Sequence, residues 1–135
     1  MCKPRFARVK FVAALVLFVQ NLSLMADFYS QLLSNEIGTR TEDFAKLSND
    51  SSELLLHQIP IEHREAISVP PSLREDCVWK PIFDVSSIDA ARNSAHKHGG
   101  HIKDSSSEWN LDSAIYCDGN DPEGNIIQLR MQIEG

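Results

Sequence analysis

Apolar and polar positions follow two rhythms along this chain, and the order of the rhythms repeats. Phe11 to Val19 is an unbroken apolar run, the form of a strand covered on both faces. After it, Met25, Phe28, Tyr29, Leu32 and Leu33 recur at helical spacing, predicting an amphipathic helix over Leu24 to Leu33 with Asn21 or Ser23 as N-cap. Asp43 to Leu47 and Glu53 to Ile59 read as strands across the polar turn Ser48-Asn49-Asp50-Ser51-Ser52. Pro60 to Asp76 carries three prolines and no period, so it reads as a connector.

The pattern then restarts. Val78 to Val85 reads as a strand, and Ser86-Ser87 caps a helix from Ile88 to about His98 with Asp89 in its favourable first turn. Gly99-Gly100 ends that helix, as glycine does when it takes the left-handed cap. Ile102-Lys103, Ala114 to Cys117 and Ile126 to Met131 supply further strand candidates. An offset of 66 residues takes Val19 to Val85 and Asn21 to Ser87, so strand end, cap and helix start coincide in both halves. The expected class is α+β: two tandem β-α-β-β-β units whose mixed sheets curl into a cup. One domain would span 1–135, with unit one about 9–59, a connector about 60–77 and unit two about 78–132. The last hairpin turns through Asp121-Pro122-Glu123-Gly124-Asn125, where Pro pre-sets φ and Gly or Asn accepts φ > 0.

Composition narrows the partners. A chain of 135 residues with 42% hydrophobic and 24% charged content is long and apolar enough to bury a core. Its net charge of -6 disfavours nucleic acid and anionic membrane, which both require a basic footprint. Cys2, Cys77 and Cys117 form an odd, dispersed set without a CxxC, pointing to a reducing, cytoplasmic compartment rather than a disulfide framework. Lys3, Arg5, Arg8 and Lys10 before the first apolar run imitate a secretory signal, with Ser23 to Ala26 as a tolerable cleavage region. Cleavage there would remove one copy's strand and half its helix, so the run is expected to be a strand.

With Phe18-Val19-Gln20-Asn21-Leu22 and Phe28-Tyr29 in one half, Phe83-Asp84-Val85, Ala90-Ala91 and Gly99-Gly100 in the other, and Asp121-Pro122-Glu123-Gly124-Asn125 leading into Ile126-Ile127-Gln128-Leu129, the chain resembles the vicinal oxygen chelate superfamily. That group comprises glyoxalase I, bleomycin-resistance proteins and extradiol dioxygenases. The resemblance covers about Val9 to Met131 and implies a cup-shaped fold around a ligand or metal, and a homodimer.

The enzymes of that superfamily hold a divalent metal through His and Glu on four strands. Carried over by register, the resemblance puts Ala14, Lys80 and Gln128 at three of those positions. At the fourth stands Leu55, or His57 two residues on. Ala has no donor and a Lys ammonium repels a cation, while Gln128 and His57 alone do not make a tight site. No cofactor is therefore expected. His96, His98 and His101 are explained as cations at a helix C-terminus, His63 as a solvated side chain, and Cys117 as a buried thiol with no basic neighbour in view. Catalytic residues are not readable. Strand alternation places Ile126 and Arg130 with Gln128, and Ile82 with Lys80, on the cup side; Trp79, on the opposite face, is expected in the core or a dimer interface. The expected function is metal-independent binding of a small, partly apolar ligand with an anionic group, through His57, Lys80, Gln128 and Arg130. The competing expectations are a lyase or isomerase of the glyoxalase type, or a dioxygenase-related enzyme, with a degenerate metal site; acid–base chemistry at Lys80 or His57; and a purely structural dimeric module.

Overall fold

The computed structural model describes residues 13–134. Phe11 and Val12, the start of the expected first strand, and Cys2 lie outside the described residues. The apolar run forms strand β1 (Ala13–Val19), followed by helix α1 (Leu22–Leu32), then β2 (Ile37–Arg40), β3 (Phe44–Ser48) and β4 (Ser52–Gln58). The second half gives β5 (Ile82–Asp84), helix α2 (Ile88–Lys97), β6 (His101–Ile102), β7 (Trp109–Leu111), β8 (Ala114–Asn120) and β9 (Ile126–Gln132). The first sheet has the order β1-β4-β3-β2; the second has β5-β9-β8-β6, with β7 also on β8. Each sheet joins its first and last strands in parallel, β1 to β4 and β5 to β9, and is otherwise antiparallel. The fold is α+β with two mixed sheets that do not close into a barrel.

Both predicted caps form. Asn21 Oδ1 accepts the amide of Leu24 at 3.1 Å, and 66 residues later Ser87 Oγ accepts that of Ala90 at 3.1 Å. Such a side-chain oxygen satisfies one of the donors a helix start leaves open. α1 turns Leu22, Met25, Ala26, Phe28, Tyr29 and Leu32 into the core, and α2 turns in Ile88, Ala91 and Ala95. Leu54, Leu56, Ile127, Leu129 and Cys117 meet them from the sheets. α2 ends in a glycine cap: Gly99 has φ 91°, and the Gly100 amide reaches back to the Ala95 carbonyl at 2.9 Å. A methyl group on Gly100 would run into the Phe28 ring and the Asn120 carbonyl, so α1 and the end of α2 pack closely only because that position is glycine.

Three expectations are corrected. The strand read over Val78 to Val85 is only β5, because Pro81 has no N–H to extend the ladder. Lys80 and Trp79 therefore precede the strand, and Trp79 is 79% exposed rather than in the core. β8 runs on to Asn120 instead of ending at Cys117, since the Asp121 amide closes the turn on the Asn125 carbonyl at 3.0 Å. β2 and β7 carried no pattern: β2 is a short strand with a register shift and one half-buried residue, and β7 is wholly exposed. β6 and β7 pair in succession with β8 around the excursion 103–108, together standing where β2 stands in the first half.

Candidate functional site

Strand alternation separates the helix side of each sheet from its outer side. On β9, Ile127 and Leu129 are buried against the helices, so Gln128 and Arg130 point outward. Across β8, Asp118 stands opposite Gln128 and Tyr116 opposite Arg130; across β5, Ile82 stands opposite Gln128 and Asp84 opposite Arg130. Two polar rows result. In one, Asp118 gathers both neighbours: its Oδ1 accepts Gln128 Nε2 at 2.9 Å, and its Oδ2 pairs with Lys80 Nζ at 3.1 Å. In the other, Arg130 makes a two-pronged pair with Asp84, Nε to Oδ1 at 2.6 Å and Nη2 to Oδ2 at 2.9 Å. That pair holds the Arg130 pKa above its ordinary value. Trp109 stacks on Tyr116 with ring centroids 5.6 Å apart, closing the end of this row.

Lys80 and Asp118 line an open cavity of about 500 Å³, with Trp79, His101, Lys103 and Asn120 among its other walls. This is within the range of small-molecule sites. The four site residues read from the sequence therefore divide. Lys80 and Gln128 meet on one carboxylate. Arg130 lies one row away, lining a second cavity of about 320 Å³ with Leu15, Glu53 and Asp84. His57 belongs to the first sheet, opposite Phe18 on β1, with ring centroids 5.6 Å apart in an edge contact. Asp118 was missed because Asp-Gly-Asn after Cys117 carries turn chemistry. Placing the turn at Asp121–Asn125 sets the register of β8 against β9 and brings Asp118 opposite Gln128.

The same register gives the repeat-related positions of the two sheets. Val16 stands opposite Leu55, and 66 residues on Ile82 stands opposite Gln128. Leu55, not His57, is thus the repeat-related partner of Gln128, and Ala14 that of Lys80. An alanine, a leucine, a lysine held in an ion pair and one amide oxygen do not suit a divalent cation. Among the described residues no group of three or more His, Cys, Asp or Glu side chains comes together. His98 Nδ1 lies 2.9 Å from the Ser94 carbonyl at the end of α2, which accounts for it by the helix terminus. Cys117 does have a basic neighbour, Arg92 Nη2 at 3.8 Å from its sulfur. Burial still outweighs that charge and pushes the thiol up, away from a reactive thiolate.

The closing turn is a scaffold for the site. Asp121 is fully buried and accepts four hydrogen bonds: Tyr29 Oη at 2.6 Å, the amides of Glu123 and Asn125, and Asn125 Nδ2 at 2.8 Å. Burial raises its pKa against those bonds, and raises that of Tyr29. Glu123 takes the Gln20 amide on both carboxylate oxygens, at 2.8 and 3.0 Å, and the Asn21 amide on one of them at 2.9 Å. The last turn of the second half thereby holds the helix start of the first, where the macrodipole favours an anion.

No family model matches the sequence, and no curated protein matches it. Solved structures do. A glyoxalase/bleomycin resistance protein from Albidiferax ferrireducens aligns at TM-score 0.65 and 17% identity, over 90% of this chain and 98% of that one. A glyoxalase/bleomycin resistance protein/dioxygenase family enzyme from Burkholderia phytofirmans aligns at 0.62 and 15%, over 89% and 97%. A glyoxalase/bleomycin resistance protein from a Streptomyces species aligns at 0.60 and 16%, over 89% and 99%. At these identities the likeness concerns the fold. The chain has the fold of the glyoxalase/bleomycin-resistance structures.

Proposed function

We propose that the chain is a small-molecule-binding protein of the glyoxalase/bleomycin-resistance type that works without a catalytic metal. The observation that supports this best is the convergence of Lys80 and Gln128 on Asp118 beside an open cavity, at two of the positions where metalloenzymes of this fold present ligands. The Lys80 ammonium suits an organic anion, exchanging part of its pairing with Asp118 for the ligand, while the Gln128 carbonyl is left to accept from a ligand hydroxyl or amide. His57, on the first sheet, and Arg130, held by Asp84 at the second cavity, lie outside the Lys80 cavity, so they stay outside the proposed contacts.

A homodimer is part of this reading. Val16 and Phe18, on the outer face of β1, are 56% and 61% exposed, an apolar surface of the kind that partners cover. Cys77 and Cys117 are free thiols, in keeping with a reducing, cytoplasmic setting. Among the described residues no helix is long and apolar enough to cross a membrane.

A thermal-shift screen of small organic acids against the purified chain, with and without a chelator, tests the proposal, since a ligand of the native state raises the melting point. The expected result is a stabilising acid whose effect survives the chelator and weakens about tenfold in affinity in Lys80→Met. Binding that Lys80→Met leaves unchanged would remove Lys80 from the site.

A further inference from the structure

The two sheets face each other across a seam. Among the described residues β1 pairs only with β4, and β5 only with β9, so each sheet presents an edge where the halves meet. A cavity of about 320 Å³ opens there. Unlike the Lys80 cavity, it reaches between the strands towards the core: Leu15, Leu17, Tyr29 and Phe83 form its walls, and Trp79 and Arg74 stand at its mouth.

Its chemistry is lopsided. The walls are aliphatic and aromatic, and the polar groups there are largely engaged. The Tyr29 hydroxyl and the Asn125 amide nitrogen both donate to Asp121. Water in such a space has few partners, so an apolar occupant is favoured. Arg74 is different. Its backbone amide is fixed on the Gly124 carbonyl at 2.9 Å, yet among the described residues its guanidinium joins none of the ion pairs. The nearby carboxylate that feels its charge, Glu123, has both oxygens taken by the Gln20 and Asn21 amides. A guanidinium fork outside those ion pairs, over an apolar, ring-lined cavity, is the arrangement that recognises an aromatic carboxylate.

We infer that the seam between β1 and β5 is a second binding pocket, for a compact planar apolar molecule bearing an anionic group, with Arg74 receiving the anion and Trp79 covering the ring. This pocket is separate from the Lys80–Asp118 cavity and does not depend on that assignment. The two share Trp79, Cys77 and Ile126 as a common wall.

The test is a titration of the full chain with naphthoate and with its uncharged analogue naphthylmethanol, followed by Trp fluorescence and calorimetry. Naphthoate is expected to saturate at one site per chain and to bind about tenfold more weakly to Arg74→Met, with naphthylmethanol unaffected by that change. Leu15→Trp, which fills the seam, should abolish both; Trp79→Ala, an exposed position, should weaken both and serves where Leu15→Trp does not fold. Lys80→Met should bind naphthoate as the parent chain does. Absence of saturable binding, equal affinity in Arg74→Met, or loss in Lys80→Met instead of Arg74→Met would each overturn the assignment. The last result would move the probe to the Lys80 cavity and leave that proposal standing.

Discussion

Asp118 and Asp121 stand three residues apart on one hairpin and have opposite fates. Asp121 is sealed from solvent and spends its carboxylate on four donors that tie α1 to the last turn. Asp118 is part-exposed at a cavity, holding a lysine and an amide. A buried carboxylate surrounded by donors of its own chain has no capacity left for a ligand and a large effect on stability. A half-exposed one in a screened ion pair contributes little to stability and can exchange partners. The difference separates the scaffold of the hairpin from its site.

Substitutions can break this comparison, and the largest effect belongs to Asp121→Ala. It strands the Tyr29 hydroxyl, two backbone amides and the Asn125 side chain in a buried space, and should lower the unfolding free energy by about 3–5 kcal/mol in urea titrations. Gly124→Ala comes next, at about 2 kcal/mol or more. Gly124 has φ 84°, and a methyl there would overlap the Ser72 carbonyl of the connector. Either variant behaving like the parent would remove the turn from its structural role.

The same buried acids carry a pH signature. Burial raises the pKa of Asp121 and Glu123 in the folded chain, so the native state holds protons that the unfolded chain has released. Their contribution to stability is therefore greatest at low pH and is lost as pH rises from their ordinary values, near 4, through the raised native ones. Glu123→Gln keeps an acceptor for the helix start and removes one titration. Unfolding measured at several pH values should show a shallower fall for this variant than for the parent. A steeper fall would mean that Glu123 favours its charged form. The smallest expected effect is Asp118→Ala, about 1–2 kcal/mol on stability, because it leaves the buried Gln128 amide without its partner, with ligand affinity changed well beyond that.

Most of the fold was legible because the apolar rhythm and the caps agree. The 66-residue offset from Asn21 to Ser87 identified two helix starts that the structure caps in the same way. β2 and β7 were illegible for a physical reason: they are short edge strands, largely exposed, whose residues need no apolar alternation. The site was legible in part. Lys80 and Gln128 both contact Asp118, a partner hidden in residues that look like a turn. Pro81 shortens β5 and leaves Lys80 on an approach segment that the apolar pattern alone extended into the strand. Glu123, which joins the halves, gave no signal except its place between two turn residues, because its partners are backbone amides 102 and 103 residues away.

If Lys80, Asp118 and Gln128 form a ligand site in the place of a metal site, elemental analysis of the purified chain, repeated on Gln128→Ala, reveals it. The expected result is far less than one nickel, zinc, iron or manganese ion per chain and no difference between the two proteins. One tightly held ion per chain, lost in Gln128→Ala, would contradict it.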